Sequence, residues 1–180
     1  MGLVKKWQIE KSNTLSFVNN LAEIKDNSVT LDKLAFKTMV LEASAEGSGT
    51  SVEFTNTTVS DGIYMAVIEV TSGMNVYIYF NGDTTSSNYY RQQIFGNGDT
   101  ASAYRGNDAL LTTGPAIAYI LKDKSDYAKA IGLNLPDYGS STDVCIRHVC
   151  YVNTVTDITS IQLTFGSTVD YRVSLYKLKV

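Results

Sequence analysis

From about residue 38 onward, apolar and polar positions alternate in short runs bounded by Gly, Asn, Asp, Ser or Thr, the pattern of strands joined by turns. The strongest runs are Ile63 to Thr71 and Met74 to Phe80. Only Ser72-Gly73 separates them, a dipeptide suited to a two-residue turn, so the two are expected to pair as an antiparallel hairpin. Further strands are expected at Thr38–Ser44, Val52–Thr55, Tyr89–Phe95, Ser102–Arg105, Ala116–Lys122, Val144–Asn153, Ile158–Phe165 and Val169–Leu178. Period-two alternation assigns faces. Met74, Val76, Ile78 and Phe80 share one face and Asn75, Tyr77 and Tyr79 the other; Ile161, Leu163 and Phe165 oppose Gln162 and Thr164; Tyr171, Val173 and Leu175 oppose Arg172, Ser174 and Tyr176. Strands apolar on one face, turns about every ten residues and no convincing helix predict an all-β fold, an antiparallel jelly-roll-like β-sandwich over residues 37–180.

Residues 1–36 read differently. Ser12 to Asp26 spaces Leu15, Val18 and Leu21 in a weak amphipathic pattern, enough for a short helix at most. Ile24, Val29, Leu31 and Leu34 then recur too irregularly for a long helix or a free-standing strand. A segment with so little apolar surface cannot offset its own ordering entropy. It is expected to be an extended arm for attachment or oligomerisation that orders against a partner.

Composition narrows the function. At 180 residues the chain fits one core plus this appendage, with 44% hydrophobic and 18% charged residues. A formal net charge of −3 gives no basic field for phosphate backbones, so nucleic acid is not an expected partner. The longest apolar runs are strand-length, far short of the roughly 20 residues a membrane helix needs, and no signal-peptide core follows Lys5 and Lys6. Membrane insertion is not expected, and the protein is expected to stay in the cytoplasm where it is made until assembly or lysis.

Candidate chemistry is sparse. Cys145 and Cys150 flank His148, but no other Cys or His exists to complete a zinc site, and positions five apart on a strand face opposite ways. Two unlinked thiols are expected, Cys150 the more buried. His148, the only histidine, sits in an apolar strand pattern with no nucleophile motif beside it. Asn81, Asp83, Asp99 and Asp108 could supply oxygen ligands to calcium, yet Asn-Gly and Gly-Asp are what turns demand. Asp83 and Asp99 are the one carboxylate pair worth testing for glycoside hydrolysis. No enzyme activity, metal or cofactor is expected. Twelve tyrosines in 180 residues shift the picture towards binding. Tyr77, Tyr79, Tyr89 and Tyr90 are candidates for an exposed aromatic surface, because tyrosine offers apolar area with a polar tip to proteins and sugars alike. The alternative is that they pack within a wide sandwich.

Two stretches carry a family resemblance. Ile24-Lys-Asp-Asn-Ser-Val-Thr-Leu-Asp-Lys-Leu-Ala35 resembles an element frequent in tail-fibre and collar proteins of phages. Val76-Tyr-Ile-Tyr-Phe-Asn-Gly-Asp-Thr84, Asn88-Tyr-Tyr90, Gly96-Asn-Gly98, Ile158 to Leu163 and the closing Ser174-Leu-Tyr-Lys-Leu178 are similar to β-sandwich virion proteins of phages and archaeal viruses. The approach from Phe165 to Tyr171 is shorter than that pattern. The resemblance implies a capsid-decorating or fibre subunit located in the virion, a homotrimer anchored to capsid or tail proteins through its arm. Ile24, Val29, Leu31 and Leu34 would form the trimer or anchor seam. The alternative it implies is a receptor-recognition head that binds a host-surface glycan.

Overall fold

A computed structural model describes residues 15–18, 21–24, 39–57, 62–71, 73–97, 100–134 and 143–179. The chain divides into two compact units, Met1–Thr38 and Met39–Val180. In the first, β1 (Leu15–Val18) and β2 (Leu21–Ile24) form an antiparallel hairpin. This corrects the expected short helix: Leu15 and Ile24 are cross-strand partners, a local pairing that a helical reading of the same apolar spacing overlooks.

The second unit is an antiparallel ten-stranded sheet of β3 (Met39–Thr55), β4 (Gly62–Val70), β5 (Asn75–Phe80), β6 (Tyr89–Asn97), β7 (Thr100–Gly106), β8 (Leu110–Thr113), β9 (Ala116–Lys122), β10 (Tyr127–Asn134), β11 (Asp143–Thr154) and β12 (Ser160–Lys179). The order is β7-β6-β11-β10-β9-β4-β12-β5-β8, with β3 along the other side of β12. The all-β expectation holds. The sheet curls into a half-barrel of two sandwich-like layers, and β8 packs across onto β10 and β11.

The expected β4–β5 hairpin does not form. Both strands lie antiparallel to β12 on the same side, β4 along residues 171–179 and β5 along 161–165. The turn between them exists, with Gly73 at φ 75° and the Met74 N–H donating to Thr71 O, but it carries the chain around a corner instead of back on itself. At the same level the β12–β3 register shifts between Thr164 and Val169. β3 and β12 therefore each run as one long strand through both layers, where four short strands were expected.

The core fills from the faces the alternation assigned: Val76, Ile78 and Phe80, Ile161, Leu163 and Phe165, Val173 and Leu175 are buried, and Ile68, Ile120 and Leu111 join them. Two strands of this unit were not anticipated, β8 and β10. Their contact is close, since a Cβ on Gly132 of β10 would lie 2.5 Å from the Leu111 carbonyl oxygen of β8. Only a glycine lets the two layers meet there.

Candidate interaction surfaces

Of the predicted surface tyrosines, only Tyr90 is exposed. Tyr77 is half-buried, Tyr79 buried and Tyr89 wholly buried, so the expected aromatic surface does not form from these four. Tyr79 breaks the alternation of β5, where Ile78, Tyr79 and Phe80 are buried in succession. Tyr89 starts β6 with its ring edge-on to Tyr79 and 5.0 Å from that of Tyr151. Val29, Leu31 and Leu34 lie outside the described residues, as does Asp99, while Ile24 ends β2.

The Tyr89 hydroxyl explains its burial. It accepts from the Phe80 N–H at 2.9 Å and donates to the Asp83 carbonyl at 2.7 Å. Between these residues Asn81 and Gly82 both take positive φ, 54° and 74°, as a tight two-residue turn requires. The Asp83 carboxylate accepts from the Thr85 N–H, from Asn88 and from the Tyr151 hydroxyl. Burial works to raise its pKa, but these donors outweigh it and hold the carboxyl at about 2. Every oxygen of Asp83 is thus engaged in fixing the loop, which is the turn reading and not the ligand reading of this residue. Asp108 likewise has a local task, an ion pair with Arg91 at 3.3 Å. Among the described residues, no group of three or more His, Cys, Asp or Glu side chains is placed to hold a metal ion.

On β11 the faces separate as period two demands. Cys145, Arg147, Val149 and Tyr151 point inward; Ile146, His148 and Cys150 point outward. Cys145 is therefore the more buried thiol, reversing the expectation, and no disulfide joins the two. Burial first, and Lys129 second, lower the pKa of His148, which sits on a sheet face between Ile131 and Gln92.

That outer face is the largest feature the sequence did not reveal. In register across six strands run Val67, Ile117, Leu133, Ile146, Ile94 and Ala103. The adjacent row is Tyr176, Met65, Tyr119, Ile131, His148, Gln92 and Arg105. Ile94 is 60% exposed, and Ile146, Tyr119 and Tyr90 are exposed with it. At a strand spacing of about 4.8 Å and a row spacing of two residues at about 3.4 Å each, these two rows span roughly 450 Å² in projection. That lies within the roughly 300–600 Å² of the largest apolar patch on an ordinary monomer, with His148, Gln92 and Arg105 at its polar end. The sign was present in Tyr127-Ala-Lys-Ala-Ile-Gly-Leu-Asn134 and Ala116-Ile-Ala-Tyr-Ile-Leu121, where large apolar residues alternate with alanine and glycine.

The second surface is the seam where β8 meets β10, β11 and β6. Asn134 holds it: its Oδ1 accepts from Thr112 and from Arg147 at 3.1 Å, and its Nδ2 donates to Thr113. Arg147 also donates to Gln93 Oε1 at 3.1 Å. No known protein family, curated protein or solved structure matches this chain, so its function is argued from these surfaces and from its motifs.

Proposed function

We propose that the chain is a non-enzymatic structural subunit of a virus particle, a homotrimeric capsid-decorating or fibre protein, anchored by its N-terminal arm. The virion assignment is supported by the order of the Ile24–Ala35, Val76–Thr84 and Ser174–Leu178 motifs. The observation that carries assembly is the outer face of β4, β9, β10, β11 and β6. Burying it against further copies of the same chain removes apolar area at about 25 cal/mol per Å². Its projected area is a little over half of the roughly 800 Å² per partner of a standard interface, so strands beside these rows would contribute as well. A second copy suits it because the face carries few charges, and Lys129 and Arg105 on it are already engaged, with Asp123 and the Tyr90 ring.

Light scattering on the full chain tests this. The expected mass is three times 19.7 kDa. Ile94→Lys combined with Ile146→Glu, a complementary pair on facing strands, should give a folded monomer with the wild-type circular dichroism spectrum. A monomeric wild type would refute the assembly. Quantitative mass spectrometry of purified particles, finding the chain at fixed copy number, tests the virion assignment separately.

A further inference from the structure

Arg147 is a buried cation whose nearest described carboxylate is shared: Asp108 attracts it but is ion-paired with Arg91, whose like charge opposes it. Only 6% of Arg147 is exposed, yet its hydrogen-bond partners are the neutral oxygens of Gln93, Asn134 and, at 3.5 Å, Thr113. The ion pairs among the described residues belong to Arg91, Lys122, Lys129 and Arg172. Taking a guanidinium out of water costs several kcal/mol unless an opposite charge repays it. Among the described residues three of its five N–H donors are used, one on each nitrogen, which leaves two on the terminal nitrogens without a described partner.

Arg147 lines a cavity of about 220 Å³ at the seam of the half-barrel together with Gln93, Phe95, Thr113, Asn134 and Cys145. Gln93 spends its carbonyl oxygen on Arg147, so its amide –NH2 is a further donor among the lining groups. The fixed parts are well braced: Asn134 ties Thr112 and Thr113 of β8 to Arg147 of β11, and the Leu111 backbone rests on Gly132 beside them. A rigid planar fork with two donors to spare, one apolar wall and room for only a small group is complementary to a planar two-oxygen anion.

We propose that the seam of the half-barrel binds a carboxylate, carried on a small molecule, through the two remaining N–H groups of Arg147, with Gln93 and Thr113 completing the hydrogen bonds. The ligand's charge compensates the buried guanidinium, and its hydrocarbon part lies against Phe95. The site lies on the inner side of the layer, away from the outer apolar face, and stands or falls independently of assembly.

The probe is sodium acetate against sodium chloride at matched ionic strength, on the full chain. Acetate should raise Tm along a saturating curve, by about 5 °C or more once its concentration reaches a hundredfold the dissociation constant. General salt exclusion would instead give a rise without saturation, and that result refutes the site. Arg147→Lys keeps the charge but loses the fork, and should weaken binding about tenfold. Should that variant fold poorly, the wild type alone decides. Acetate should shift one arginine Nε–H resonance in a 15N spectrum with the same midpoint as the Tm curve. If no arginine Nε–H moves, as when a carboxylate of the chain's own already occupies the fork, the proposal is wrong.

Discussion

On β9 and β10 the positions turned towards the core are Ala116, Ala118, Ile120, Ala128, Ala130 and Gly132, small but for Ile120, whereas those turned away include Ile117, Tyr119, Leu121, Ile131 and Leu133. This reverses the usual distribution of volume between the two faces of a half-buried sheet. The small inward residues let β8 descend until its backbone touches β10, so the core is thin and sharply fitted. The large outward residues have no counterpart within the unit. One face is matched to a surface already present, the other to a surface that must arrive, and substitutions on the two should therefore have opposite signatures.

The inner face should be the intolerant one. Gly132→Ala places a methyl group 2.5 Å from a backbone oxygen that cannot swing aside, and should cost about 3 kcal/mol, near 10 °C in Tm by differential scanning calorimetry. Tyr89→Phe removes the hydroxyl that joins the Phe80 N–H to the Asp83 carbonyl, and should cost about 2 kcal/mol in urea denaturation. A loss under about 0.5 kcal/mol would mean that the loop holds its shape without Tyr89. Acid should act through the same loop. The Asp83 carboxyl lies at about 2 in the folded chain against 3.8 for the free group, so its stabilisation is complete above about pH 4 and is lost as pH falls through 2. The stability difference between wild type and Asp83→Asn should shrink by at most about 2 kcal/mol between pH 5 and pH 2. The outward pair Ile94→Lys and Ile146→Glu completes the contrast, altering mass while leaving the unfolding of the single unit nearly unchanged.

How much of this was legible in the sequence follows from the same contrast. β5 and the two halves of β12 were readable because Val76, Ile78, Phe80, Ile161, Leu163 and Phe165 stand out against polar neighbours. β10 was not, because alanine and glycine on its core face give little contrast with Lys129, and its large residues face outward. β8 is four residues long, below what periodicity can resolve. Ser72-Gly73 is sound turn chemistry, yet a turn dipeptide fixes a local reversal and not which strands later pair; here both strands pair with β12 instead. Of the candidate site residues, Asp83 was correctly read as a turn residue, while Arg147 and Asn134 carry no local motif and are joined only by tertiary contact. The tyrosines misled because alternation alone does not register a hydroxyl with buried partners waiting for it.

The long strand β12 also sets an order of events. It pairs with β3 from Ser160↔Thr55 to Leu178↔Met39, and with both β4 and β5, so the strand that all three share is made about eighty positions after β5. Until residues 160–179 leave the ribosome, β3, β4 and β5 lack their common neighbour, and the apolar faces of all three wait uncovered. A topology this non-local folds slowly once complete. During synthesis the interval before closure is when the chain is most open to association with the wrong partner.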